Sequence, residues 1–289
     1  APHQWIARDW ETFRQAGEKM PVAVALGGPP SLTLTAQATI PADCDGYLCA
    51  GLLADEPLDI ATCRSLALQI PAEAEMVLEG YLDPAEPPWD VQPVPSGRGG
   101  GLHAIEVAVA TSRTQPVLPL VVLGKPPHEK LHIQSGLAQI FLPIWQQAIP
   151  ELVDLHYPEF AAEDVAVASF RKTFPFQARQ VASALWGQAA TMSIRMLVLV
   201  DQETDVRDDR EVGYRISAQV DPRQDIFFHE GPAGAGSGGE EDFYRSTHVA
   251  VDATTKLPGE RGGQADEQLG ADEQTRQQVD QRWSEYGLG

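Results

Sequence analysis

The sequence has little of what defines several large protein classes. No apolar stretch reaches the roughly 18 residues of a membrane-spanning helix, so no membrane span is expected. Cysteine is scarce: Cys44, Cys49 and Cys63 cannot all pair within one chain and lack paired Cys-x-x-Cys spacing, which excludes a disulfide framework. Basic residues are few, 21 Lys and Arg against 41 Asp and Glu for a formal net charge of −20. Such a surface repels nucleic-acid phosphates and anionic lipid, so no nucleic acid is expected as a partner. There is no Walker lysine loop and no Gly-x-Ser-x-Gly elbow, which removes the standard NTPase and hydrolase readings. No charged segment followed by an apolar one opens the chain, and with its unpaired cysteines the expected setting is cytoplasmic and reducing.

What is present suits a globular protein. Hydrophobic residues make up 43% of 289, enough for two domains. The expected boundaries are 1–112, 113–258 and an acidic tail over 259–289 with one helix near Asp272 to Tyr286. The first segment reads as a polar helix up to about Lys19, a strand from Pro21 to Leu26, and a stop at Gly27-Gly28-Pro29-Pro30. Further strands are predicted at Glu75 to Leu82 and His103 to Thr111, the latter with Ile105, Val107 and Val109 in period-2 alternation. Between them, Asp83 to Gly101 is rich in proline and glycine and reads as a loop, the kind of segment that carries a site. From about Pro126 helices alternate with continuous apolar runs at Val165 to Phe170, Met196 to Val200 and Ile226 to Phe228. Such runs are typical of parallel strands covered on both faces, giving β-α-β-α-β and a layered α/β domain.

Three stretches could carry chemistry on their own. His128-Glu129-Lys130-Leu131-His132 matches the H-E-x-x-H zinc signature, with Glu151 spaced as a third ligand. At about 100° per residue, Ile133, Leu137, Ile140, Phe141 and Ile144 form the apolar face, and both histidines point away from it, as on a solvated helix. Gly234 to Gly239 is glycine-rich, but no amphipathic helix follows to present its N-terminus to a phosphate, so it reads as a flexible loop. Asp201, Glu203 and Asp205 follow a strand at the end where parallel sheets bind ligands, yet alternating acids there also make an ordinary solvated turn.

Several stretches taken together resemble the UbiD decarboxylases. Met20 to Gly28 (MPVAVALGG) is similar to that family's PVAVALGGDP segment, and Ala50 to Leu58 (AGLLADEPL) to its AGLLRGEP. Ile70 to Tyr81 (IPAEAEMVLEGY) is close to VPADAEIVLEGY. Met196 to Asp205 resembles VIVVDDDID, Asp221 to Asp225 the xPxRD motif, and Val251 to Lys256 (VDATTK) the family's IDATRK. Order and spacing hold from about His3 to Lys256.

The resemblance implies an α/β fold class overall: part of a split β-barrel flavin domain, then an α/β oligomerisation domain. It implies prenylated FMN with a divalent metal (Mn or Mg) and potassium as cofactors, and a small aromatic or α,β-unsaturated acid as substrate. Homo-oligomers, dimeric or larger, are the family habit. By this resemblance the chain carries the rear part of the enzyme, and a separate N-terminal UbiD-like subunit is the expected partner, supplying the arginine that grips the substrate carboxylate. Where the family has E-G-P-F-G-E/D after VLEGY, this sequence has Asp90 at the first acid and Pro95, which has no ionisable group, at the second. The catalytic candidates are accordingly Asp90 and, in the same loop, Glu86. His3 and Asp45 are the metal candidates, and Arg195 stands where a cation near the cofactor phosphate is implied. The competing expectation is a UbiD-like scaffold or regulatory oligomer that has lost catalysis.

The zinc reading has a direct check. Metal analysis of the purified protein should find no stoichiometric zinc; one zinc per chain, lost in His128→Ala, would revive it.

Overall fold

The computed structural model describes residues 4–38, 40, 44–91, 100–121, 124–125, 128–161, 164–188, 190–231, 246–260 and 273–286. The first portion begins with helix α1 (Gln4–Ala16), which ends at Gly17 in the left-handed region, φ 68°. Strand β1 (Met20–Leu26) stops at Gly27 and Gly28, both with positive φ. A side chain at Gly27 would run into that of Glu75, so glycine is required there on two counts. Two short helices follow, α2 (Pro30–Gln37) with proline in its first turn and α3 (Gly46–Ala54). Strands β2 (Ile60–Thr62) and β3 (Gln69–Pro71) then pair with each other.

Strand β4 (Met76–Leu82) is the centre of a three-stranded antiparallel sheet, with β1 on one side and β7 (Ile105–Ser112) on the other. Between β4 and β7 the segment expected to be all loop holds a small hairpin, β5 (Trp89–Val91) paired with β6 (Gly100–Leu102). Backbone pairing prevails there over the breaker-rich composition, because strands of three residues need little propensity of their own. Among the described residues the sheet does not close into a barrel.

Residues 113–121 lead away from β7 along the surface. Glu75 ties this strap down: its carbonyl accepts from the Arg113 N–H at 3.0 Å, and its Oε2 from the Val117 N–H at 2.9 Å.

The second portion opens with the long helix α4 (Glu129–Ala148) and strand β8 (Leu152–His156). It continues through β9 (Val165–Phe170), α5 (Gln177–Trp186), β10 (Met196–Asp201) and α6 (Asp209–Gln219). Strands β11 (Ile226–Gly231) and β12 (Ser246–Asp252) complete a five-stranded sheet in the order β11-β12-β10-β9-β8. Helix α7 (Glu273–Gln281) and a 3-10 turn (Trp283–Tyr286) lie in the tail.

Only the three central strands are parallel; β8 and β11 run antiparallel at the two edges. The third parallel strand is therefore β12 and not β11, as the apolar runs had suggested. Such a run reports burial and carries no information on strand direction.

Alternation along β9 and β10 explains the layers. Ala166, Ala168, Phe170, Leu197 and Leu199 face a core shared with Leu131, Phe141 and Trp145 of α4 and Val181 and Leu185 of α5. Val167, Val198 and Val200 face the opposite side, against Val212 of α6. Each fully buried Leu, Val or Phe in these layers contributes about 1.5–3 kcal/mol. On α4 the buried stripe is Leu131, Ala138, Phe141 and Trp145, turned from the expected one: Ile140 and Ile144 stay exposed. Among the described residues no helix is long and apolar enough to cross a membrane.

The register of β4 shifts between Glu79 and Gly80, where the chain of β7 comes closest. A methyl group at Gly80 would overlap the Glu106 carbonyl oxygen and sit 3.1 Å from the Val107 Cα. Backbone cannot yield as a flexible side chain can, so Gly80→Ala should cost about 1–3 kcal/mol in denaturant unfolding. An unchanged midpoint would mean that β4 and β7 do not meet here.

Candidate functional site

Two groups of buried charge stand out, each in a stretch already singled out by its sequence. The first is Glu79, midway along β4 and 1% exposed. Its carboxylate accepts from the Arg64 N–H at 2.8 Å and the Ser65 N–H at 2.7 Å, and from the Ser65 hydroxyl at 2.6 Å. That hydroxyl first, then the backbone N–H groups, hold the carboxyl below its ordinary value against the opposing effect of burial. Glu79 thus pins the turn between β2 and β3 onto the three-stranded sheet.

The second group lies just beyond the carboxyl ends of β9, β10 and β12. Lys172, two residues past β9, donates to Glu260 Oε2 at 2.7 Å, Thr254 Oγ1 at 2.9 Å and the Thr255 carbonyl at 3.2 Å. Lys256 donates to the Asp252 carbonyl at 2.6 Å and pairs with Asp252 Oδ1 at 3.2 Å and Asp225 Oδ1 at 3.3 Å. Asp201, the last residue of β10, accepts from the Thr255 N–H and hydroxyl at 2.9 and 2.7 Å. Glu260 also accepts from the Phe176 and Leu257 N–H groups, each at 2.6 Å, so it caps the start of α5. Burial raises its pKa, but Lys172 and these two N–H groups lower it by more.

In an open parallel sheet the ligand ordinarily sits outside these strand ends. Here two lysines, four carboxylates and the Thr254-Thr255 turn fill that place and engage one another. Asp201 therefore holds residues 254–255, while Asp205 accepts from the Arg207 N–H and Glu203 from the Gln202 side chain. The acidic triplet is a turn whose members are spent locally.

The candidate residues named from the sequence do not gather in one place. His3 and Pro95 lie outside the described residues, as does Gly234 to Gly239. Asp45 is the N-cap of α3, its Oδ1 accepting from the Tyr47 and Leu48 N–H groups at 2.7 and 3.2 Å. Glu86 is exposed in the turn after β4, its N–H donating to the Asp83 carbonyl at 3.2 Å. Asp90 is the middle residue of β5, paired with Gly101. Arg195 precedes β10 at the amino end, opposite to the strand ends just described, and pairs with Asp164 at 3.8 Å.

His128 caps α4, its Nδ1 accepting from the Leu131 N–H at 3.4 Å, and His132 is exposed. Among the described residues no group of three or more His, Cys, Asp or Glu side chains could hold a metal ion. The described residues therefore do not by themselves complete a metal site. Sequence reasoning missed Glu79 as an anchor, though a lone acid inside the apolar run Met76–Leu82 was the available signal. Lys172 carried none.

Comparison with known proteins gives a consistent result. Residues 1–126 match the model of the UbiD 3-octaprenyl-4-hydroxybenzoate carboxy-lyase Rift-related domain, and residues 132–253 that of the same family's C-terminal domain. An uncharacterized protein of Synechocystis is 33% identical over 98% of this chain and 58% of its own length. The chain thus spans less than two thirds of the curated relatives it matches; for an uncharacterized Aquifex aeolicus protein the share is 59%. Among solved structures, Sedimentibacter hydroxybenzoicus vanillic acid decarboxylase in closed form superposes with a TM-score of 0.78. It is 22% identical, over all of this chain and 62% of the other. The UbiD-class enzyme HmfF from Pelotomaculum thermopropionicum, in complex with FMN, gives a TM-score of 0.72 at 24% identity, over 93% and 60%.

The strand-end network makes two checkable statements. Lys172 and Glu260 side chains are each 4% exposed, so Lys172→Met leaves the buried carboxylate without its cation and should cost about 3–5 kcal/mol, part of it recovered in Lys172→Met with Glu260→Gln, which keeps an acceptor for the Phe176 and Leu257 N–H groups. Glu79 and Glu260 both ionise below the ordinary glutamate value of 4.5. Their contribution is complete above that pH and is lost as acid protonates them in the folded state. Glu79→Gln and Glu260→Gln should each flatten the fall in unfolding free energy as the pH drops below 4.5; an unchanged slope contradicts the assignment.

Proposed function

The chain belongs to the UbiD carboxy-lyase family, and from that premise we propose that it works as part of a flavin-dependent decarboxylase or carboxylase of an aromatic or α,β-unsaturated carboxylic acid. The observation that carries the reading is the collinear match of both family domains over residues 1–126 and 132–253. The cofactor would be prenylated FMN with a divalent metal and potassium, and the setting cytoplasmic. In a flavin-dependent carboxy-lyase the flavin supplies the electron sink for loss or gain of CO2. The grip on that cofactor and on the substrate carboxylate comes from the remainder of a family-length polypeptide, in the same chain or in a partner subunit. The division at residues 112 and 258 assigns the first unit to the flavin side and the second to homo-oligomer contacts, dimeric or larger.

In this reading the acids nearest the chemistry are Asp90 on β5 and Glu86 in the turn before it. A general acid must reach the carbon being protonated before its pKa matters, and β5 with its partner β6 is a short hairpin that presents Asp90 at a fixed register. Asp45 and His3 remain the metal candidates and Arg195 the phosphate candidate, all three by resemblance.

A second reading is favoured by one specific feature: Pro95 stands at the second acid position while the buried anchors Glu79 and Lys256 are kept. In it, the chain is a UbiD-like scaffold or regulatory subunit without catalysis.

The two readings separate in one experiment. With the rest of a family-length polypeptide supplied, the first predicts flavin absorbance in the complex and CO2 release that Asp90→Asn lowers by about 10²–10⁴-fold. No flavin in the complex contradicts it. Flavin without turnover, with CO2 release gained in Asp90→Glu plus Pro95→Glu, supports the scaffold.

A further inference from the structure

Helix α3 begins with an arrangement that the family reading does not use. Asp45 is its N-cap, so Cys44 is the residue just outside the helix and Cys49 lies in its first full turn, with the Cys49 N–H donating to the Asp45 carbonyl at 3.0 Å. These are the two positions whose side chains meet at the start of a helix, where an apolar pair usually staples the entering chain. Here both are thiols, and burial first, then the neighbouring Cys44, pushes the Cys49 thiol up. Cys44 is exposed, with its Sγ 3.9 Å from the Asp45 carbonyl, and Cys49 is half-buried against α2. Cys63 is buried in the turn that Glu79 anchors.

We propose that Cys44 and Cys49 form a redox-closing dithiol, a modification site that low-molecular-weight disulfides oxidise to an intrachain disulfide across the Asp45 cap. The exposed Cys44 sulfur attacks one sulfur of the oxidant disulfide and releases one small thiol, leaving a mixed disulfide. Cys49 then attacks the Cys44 sulfur and releases the second small thiol. Two electrons pass from the protein dithiol to the oxidant, and the two thiol protons leave on the two released thiols. A reducing compartment keeps the pair open, and a shift of its thiol balance closes it. Closure ties the residue before the cap to the first turn, fixing the entry of the chain into α3 and the Asp45 carboxylate within it. This holds whether or not the chain is an active carboxy-lyase.

The test uses the full chain with glutathione disulfide as the probe. Thiol titration in denaturant should find three thiols in the reduced protein and one after oxidation, with peptide mapping joining Cys44 to Cys49. Cys63→Ser should lose two thiols in the same way. Cys49→Ser should stop at a glutathione adduct on Cys44, and Cys44→Ser should keep its thiols. Three surviving thiols after oxidation, a bridge that includes Cys63, or a disulfide between two chains would overturn the proposal.

Discussion

The second portion of the molecule depends on charges that have been taken out of water and made to satisfy one another. Lys172 and Lys256 leave the ends of β9 and β12 and turn inward onto Asp225, Asp252 and Glu260, while Asp201 holds the Thr254-Thr255 turn. Each partner is costly to bury alone, so the arrangement is all or none. It joins four segments far apart in sequence and fixes where residues 252–260 cross the sheet. At the place where open parallel sheets hold ligands, the chain's own groups engage one another.

Glu79 plays the corresponding part in the first portion on a smaller scale. One buried carboxylate with three donors fastens the β2–β3 turn to β4, and Gly80 next to it lets β7 approach. The stretches most recognisable as UbiD-like, VLEGY and DATTK, are therefore recognisable for reasons of folding. They specify a scaffold in which Glu79, Gly80 and Lys256 are held by buried contacts. The acids proposed to act on a substrate, Asp90 and Glu86, belong to the segment between β4 and β7.

Much of this architecture was legible in the residues. The period-2 pattern of Ile105, Val107 and Val109 gave β7, and the continuous runs at 165–170 and 196–200 gave two strands buried on both faces. The short helices α2 and α3 were not read, because Thr-Leu-Thr and Gly-Tyr-Leu-Cys carry neither strong propensity nor an apolar stripe; packing against each other makes them helical. Strand β8 was hidden by Asp154 and His156, which an edge strand can carry on its outer side. The candidate site residues rest on resemblance, and their surroundings were not legible in the sequence. Asp45 turned out to cap a helix, and Arg195 to lie at the amino end of β10, because what a side chain meets is set by elements distant in sequence.

The account stands or falls on which part of the fold receives the cofactor. Hydrogen exchange of the assembly, made with the rest of a family-length polypeptide and compared with and without FMN, tests this directly. The account predicts that slowed amides fall within residues 20–112, on β1, β4, β7, α3 and the β5–β6 hairpin, with residues 201–205 and 252–260 unchanged. Protection concentrated at the carboxyl ends of β9, β10 and β12 would contradict it.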